Sequence, residues 1–173
     1  TPDAMHEEQV IKSCLANKHV LCEKPMSTDY QSCLRMIAEI KKSKIIFGMA
    51  YNNRFNAGLR YIKEQIEKDQ IGNIYYAKAM LSTQQNDPEG WRALGSQSKF
   101  WAMSATGTNM IDIERGYFGE QGNSKLIALA PKYSSQNDEM GTLTRNFKNK
   151  RGGDVAASAI LPRVNRIEVY SDT

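Results

Sequence analysis

A glutamate, a lysine and a proline stand together where an apolar run ends: Val20-Leu21-Cys22 stops at Glu23-Lys24-Pro25. If that run is a buried strand, Lys24 lies in the crevice at the strand's carboxyl end rather than on an outer helix face. There its ammonium can donate to a substrate hydroxyl and stabilise negative charge developing on that oxygen. Pro25 would fix the turn, and Glu23 would neutralise or orient its neighbour. The competing reading is a pair of solvated loop charges. Arg54, in Tyr51-Asn52-Asn53-Arg54-Phe55, holds the equivalent place after the next apolar run. Its fork of donors suits an anionic or hydroxylated ligand, or a surface ion pair. His6 falls in a first helical turn, where a structural hydrogen bond is a more ordinary role than catalysis. Trp91-Arg92 and Phe100-Trp101 can line a pocket, although packing suits Trp101 better. His6 and His19 make no metal site, no Cys/His/Asp cluster has zinc spacing, and no Ser-His-Asp set can be argued.

The elements around these residues follow from hydrophobic periodicity. Residues 3–17 read as a helix, with Thr1 as its cap, Pro2 as its first residue, and Val10, Ile11, Cys14 and Leu15 as its stripe. Residues 19–22 read as a buried strand. After caps at Ser27, Thr28 and Asp29, the residues Tyr30, Cys33, Leu34, Ile37 and Ile40 form a second helical stripe. A second strand covers 45–49, and a third helix 57–69 turns Leu59, Ile62 and Ile66 inward, with Gly72 just past its end. Alternating amphipathic helices and apolar strands predict a parallel sheet covered on both faces. Beyond Gly72 the pattern changes. A longer strand spans 74–81, a helix 108–118 carries Met110, Ile111 and Tyr117, and strands follow at 125–130, 140–148, 155–161 and 166–170. Residues 149–154 read as a hairpin connection. Successive strands predict an antiparallel or mixed sheet.

Composition sets bounds. The chain has 173 residues, 40% hydrophobic and 24% charged, with a net charge of +4. These are the proportions of a soluble globular protein. No apolar run approaches the roughly 20 residues of a membrane span, and no secretory leader is visible. Cys14, Cys22 and Cys33 sit in apolar patterns and read as reduced thiols in a cytoplasmic setting. Lys and Arg are interspersed with acids, which argues against a nucleic-acid-binding module and for a mixed solvated surface. No G-x-G-x-x-G phosphate loop is present.

The stretches "TPDAMH", "NKHVLCEKPMSTD" and "GMAYNNRFNAGLRYIKEQIEKDQIGNIYYAK" resemble, in order and spacing, the glucose–fructose oxidoreductase / inositol dehydrogenase (Gfo/Idh/MocA) family. "FWAMSATGTNMIDIERGYFGE" is similar to the helix that opens that family's substrate domain. The resemblance implies an α/β fold: residues 1–72 as the C-terminal portion of a Rossmann-like parallel sheet, and 73–173 as a truncated α+β domain with a mostly antiparallel sheet. It implies an NAD(P)-dependent oxidoreductase moving a hydride between nicotinamide and a sugar- or polyol-like hydroxyl or carbonyl. It also implies a homo-oligomer built through the C-terminal sheet, with no nucleic-acid or membrane partner. Thr1, Pro2, Glu23, Lys24, Pro25, Trp91 and Arg92 would then contact the cofactor, NAD or NADP. Lys24 and Asn109 would be catalytic, and Arg54 and Asn109 would bind substrate. The family's aspartate and histidine places hold Ala105 and Asn109 here, and Asn cannot take up a proton. That departure raises the alternative of a non-catalytic cofactor-binding or regulatory homologue. The resemblance further implies that about 70–80 family residues precede Thr1.

Overall fold

In the computed structural model the described residues are 1–84, 90–93, 101–130 and 137–172. A 3-10 turn, Asp3–Met5, runs directly into α1, His6–Leu15. Pro2 stands outside the turn with an extended ψ of 142°, and its carbonyl accepts the Met5 N–H at 2.9 Å. The expectation that Pro2 opens the helix is thus one position early. Strand β1, Val20–Cys22, pairs in parallel with β2, Phe47–Met49, and α2, Tyr30–Ser43, crosses between them. Asp29 caps α2 by accepting the Ser32 N–H at 2.9 Å.

The face that α2 buries differs from the expected stripe. Met36 and Ser32 are buried, whereas Tyr30, Leu34 and Ile37 are exposed. A polar cluster sets this rotation. Ser32 Oγ donates to Glu7 of α1 at 2.6 Å, and Arg35 clamps the same carboxylate. Ser32 and Met36 therefore face α1, and Met36 joins Val10, Cys14 and Cys22 in one core cluster. Burial pushes the Cys22 and Cys33 thiols up, and all three cysteines are free.

Helix α3, Ala57–Glu67, starts at Asn56, whose Oδ1 accepts the N–H groups of Gly58 and Leu59. Strand β3, Ile74–Ser82, begins the second sheet. After a π-helical turn, Met103–Gly107, helix α4 covers Thr108–Phe118. Strands β4 (Gln121–Leu129), β5 (Met140–Phe147), β6 (Gly152–Ser158) and β7 (Val164–Ser171) complete a five-stranded sheet of order β4-β5-β6-β3-β7. Three of its neighbouring pairs are antiparallel, and β3–β6 is parallel. The expected hairpin at 149–154 is the β5–β6 connection, closed by Phe147 N–H donating to Arg151 O at 2.9 Å. The fold is therefore a short parallel βαβ unit followed by a mostly antiparallel sheet carrying α4.

Helix α4 lies across β3 and β6. Met110, Ile113, Tyr117 and Phe118 are buried against Ile74, Ala77, Ala79, Phe147 and Val155. Glu114 is buried among them and forms an ion pair with Arg145 of β5, both side chains being fully enclosed. Gly153 makes this approach possible, because a Cβ there would sit 2.5 Å from Glu114 Oε2.

Asp138 holds the start of the α4 segment through the Met103 N–H at 3.2 Å. Burial pushes its carboxyl up to about 6, against the pull of the Met103 N–H and other backbone donors. Between about pH 4 and 6 the folded chain therefore keeps a proton that the unfolded chain releases. The group's contribution is complete below pH 4 and is lost as pH rises through 6. Asp138→Asn keeps an acceptor for Met103 without the titration. Its melting temperature is expected to match the parent at pH 4 and exceed it by a few degrees at pH 7, about 1–2 kcal/mol after allowing for solvent. Thermal melts across that range check the prediction; a difference independent of pH would contradict it.

Candidate functional site

The two parallel strands end at the same edge, and the segment after each one docks on a single stretch of helix. Lys24, half-buried after β1, donates its Nζ to the Ala105 carbonyl in the π turn. Tyr51, after β2, meets Thr108 across 3.4 Å between hydroxyls. Arg54, in the 3-10 turn Asn52–Phe55, donates to both oxygens of Asp112 at 2.6 and 2.5 Å. Positions 105, 108 and 112 are three and four residues apart, so they share one helix face. Asn109 lies on that face between them. It is 9% exposed, and its Oδ1 has no hydrogen-bond partner among the described residues. A buried acceptor left unpaired in this way is suited to a ligand's donor.

The loop carrying Lys24 is held from behind. His6 Nδ1 donates to the Pro25 carbonyl at 2.9 Å, and His6 is only 4% exposed. Glu23 is exposed, and its carboxylate accepts the Lys24 backbone N–H at 3.2 Å. The Lys24–Pro25 peptide is cis. His6 thus acts through Pro25, as a positioning residue. His6→Leu is expected to lower the melting temperature by a few degrees through the lost anchor while His6→Asn, which can still donate, recovers most of it. Thermal melts of both variants test this; equal loss in both would assign His6 a packing role alone.

Lys24 opens on a crevice of about 300 Å³, lined also by Thr1, Asp3, Glu23, Trp91 and Trp101. A second cavity of about 240 Å³ shares Thr1, His6 and Glu23 with it and runs along β1. The first forms a groove at the carboxyl end of β1, and the second lies beside the strand between it and α1. Of the expected site residues, Thr1, Glu23, Lys24, Pro25 and Trp91 line this groove. Pro2 is not among its lining residues, and the Arg92 side chain lies outside the described residues. Asn109 sits one helical turn beyond Ala105. Arg54 lines a different cavity, and Asp112 holds its guanidinium and raises its pKa. Sequence reasoning did not find Asp3 or the Ala105 carbonyl. The signal for Asp3 was an acid in a first helical turn; a π turn has no pattern in hydropathy.

Known proteins resemble the chain in sequence and in fold. Residues 1–51 match the family model described as "Oxidoreductase family, NAD-binding Rossmann fold", GFO_IDH_MocA. Levoglucosan dehydrogenase of Pseudarthrobacter phenanthrenivorans is 29% identical over 163 residues, covering 89% of this chain and 40% of that protein. The 2,7-anhydro-N-acetylneuraminate hydratase of Escherichia coli (strain K12) is 31% identical over 100 residues, 57% of this chain and 27% of its own length. A solved structure of levoglucosan dehydrogenase in complex with NADH and L-sorbose superposes with a TM-score of 0.92 at 25% identity, covering 99% of this chain and 50% of that one. The chain therefore spans half or less of the length of these relatives. By motif, fold and sequence likeness, the chain resembles the Gfo/Idh/MocA oxidoreductases, and residues 1–51 carry the match to that family's model.

Proposed function

We propose that this chain supplies the nicotinamide end and the substrate face of an NAD(P)-dependent oxidoreductase acting on a sugar or polyol. Residues 1–72 are read as part of the dinucleotide-binding domain and 73–173 as part of the substrate-binding domain. The observation that carries this reading is the joint placement of Lys24, at the end of β1, and the buried unpaired Asn109 on the helix Lys24 docks against. The levoglucosan dehydrogenase relatives, described as complexes with NADH and with sugars, support the choice of cofactor and substrate class.

The groove suits the nicotinamide ribose end of the cofactor. Trp91 and Trp101 offer apolar walls, and Asp3 and Glu23 offer acceptors for ribose hydroxyls. Thr1, Glu23, Lys24 and Pro25 would hold that end. When bound, NAD(P) supplies the hydride acceptor or donor. Lys24 donates to the reacting oxygen and stabilises its charge. Asn109 accepts from a substrate hydroxyl through the unpaired Oδ1 and fixes its orientation. The proton of the reacting hydroxyl, a different one from that held by Asn109, passes to the neutral Lys24 amine or to water, because Ala105 offers only a backbone carbonyl; in the reverse direction the Lys24 ammonium returns it. Arg54 acts on substrate indirectly, by fixing the helix turn that carries Asn109. Self-association through the second sheet is part of the same reading, supported by the exposed Leu126, Ile127 and Leu129 of its edge strand β4.

The absence of a carboxylate at Ala105 and of an imidazole at Asn109 favours a second reading, a homologue that binds cofactor without turnover. Calorimetric titration of the full-length protein with NADH, followed by turnover assays with NAD(P) and a panel of polyols, separates them; residues 1–173 alone, lacking the phosphate loop, are expected to bind NAD(P) weakly and to be inactive. Binding with hydride transfer supports the first reading. Binding without transfer supports the second. No binding contradicts both.

A further inference from the structure

A larger cavity, about 390 Å³, lies between α3 and α4 and shares no lining residue with the groove around Lys24. Arg54, Arg60, Lys63 and Arg115 line it, and Asp112 is the one acid among its lining residues. Both Asp112 oxygens are already engaged by Arg54. Lys63 reaches Glu67 at 3.6 Å, an exposed pair one helical turn apart that offsets little charge. Arg60 and Arg115 make no side-chain hydrogen bond or ion pair among the described residues. Glu120, the acid that Arg115 acts on, is itself paired with Lys148. Setting these five lining residues aside leaves 19 cations against 18 acids in the whole chain. Three of the chain's four net positive charges are thus gathered around one cavity.

The rest of the wall is apolar and fixed. Ile113 and Tyr117 are buried, and Tyr117 spends its hydroxyl on the Leu59 carbonyl at 2.9 Å, tying α4 to α3. It therefore presents a ring and no donor. Gly116 leaves the mouth open, since a Cβ built there meets nothing within 4 Å.

We propose that this cavity binds a small phosphate-bearing metabolite. Like charges facing one another across a groove repel unless an anion lies between them. The planar forks of Arg60 and Arg115 match phosphate oxygens in pairs. Leu59, Ile113 and the Tyr117 ring receive the carbon skeleton, and the volume suits a small organic molecule. The inference does not rest on the hydride-transfer reading.

The test is calorimetric titration of the full chain with inorganic pyrophosphate at physiological ionic strength, with citrate as a carboxylate comparison. Saturable binding of one pyrophosphate is expected, weaker by about tenfold or more in Arg60→Glu and in Arg115→Glu. Gly116→Glu, whose Cβ meets no atom within 4 Å, brings a carboxylate to the cations and is expected to abolish binding. Gly116→Ala, which adds no charge, is expected to retain it, as is Lys24→Ala, whose side chain lines the other groove. Binding that survives Gly116→Glu, or that is lost in Lys24→Ala, would overturn the proposal, and citrate binding more tightly than pyrophosphate would overturn the phosphate assignment.

Discussion

Replacing Lys24 by alanine is expected to lower kcat by about a hundredfold or more while changing cofactor affinity far less. A positioned proton-transfer group is worth about 10²–10⁴ in rate. Lys24 meets the positional requirement: it follows β1 directly, and its Nζ is oriented by the Ala105 carbonyl. Its loop is anchored from the other side by His6 through the Pro25 carbonyl. Alanine removes the donor together with its bond to Ala105 but leaves the His6–Pro25 anchor of the backbone, so the loss falls on the chemical step. Lys24→Arg keeps the charge but changes its shape and reach, and recovers little. Steady-state and single-turnover kinetics of the two variants check this. Unchanged turnover in Lys24→Ala would place the chemistry elsewhere.

The second large effect concerns stability. Glu114 and Arg145 form an ion pair with no exposed side-chain surface on either partner. Arg145 also donates to the Ile111 carbonyl and to Gln121, both at 3.3 Å, and lies over the Phe147 ring. Removing one member leaves the other charge buried without compensation, a loss of about 3–5 kcal/mol. Glu114→Ala is therefore expected to be severely destabilised. The double variant Glu114→Leu/Arg145→Met fills the space with apolar groups and is expected to regain most of the loss. Denaturant unfolding of the singles and the double gives the coupling directly; additive losses would show that the two charges do not act as a pair. The pair also bears on the site, because it holds α4 on the sheet, and α4 with its π turn presents Ala105, Thr108 and Asp112 to the segments after the strands.

Much of this was legible in the sequence, for identifiable reasons. The runs at 19–22 and 45–49 are too short and too apolar for amphipathic helices, and both contain strands of a parallel pair. Asp29, one of the caps offered for the second helix, announces its start through a side-chain oxygen that does accept the Ser32 N–H. The burial of α2 was misjudged because hydrophobicity alone was counted. The Ser32–Glu7–Arg35 cluster turns the helix so that Tyr30, Leu34 and Ile37 face outward. The Glu114–Arg145 pair is not legible in the sequence, because a charged residue on its own reads as surface. Yet Glu114 falls four residues after Met110, and Arg145 two before Phe147, both on buried faces. Arg54 was placed at the correct strand end, but its partner Asp112 is 58 residues away, a distance no local pattern spans.

On the proposed reading, the nicotinamide ring and the reacting carbon meet beside Lys24, under the helix turn that carries Ala105 and Asn109. A crystal structure of the protein with NADH and a polyol tests this most directly. The substrate oxygen is expected within hydrogen-bond reach of Lys24 Nζ, about 2.6–3.2 Å, with a second hydroxyl donating to Asn109 Oδ1. A nicotinamide ring bound outside the groove of Lys24, Trp91 and Trp101, or a polyol seated in the α3–α4 cavity instead, would contradict it.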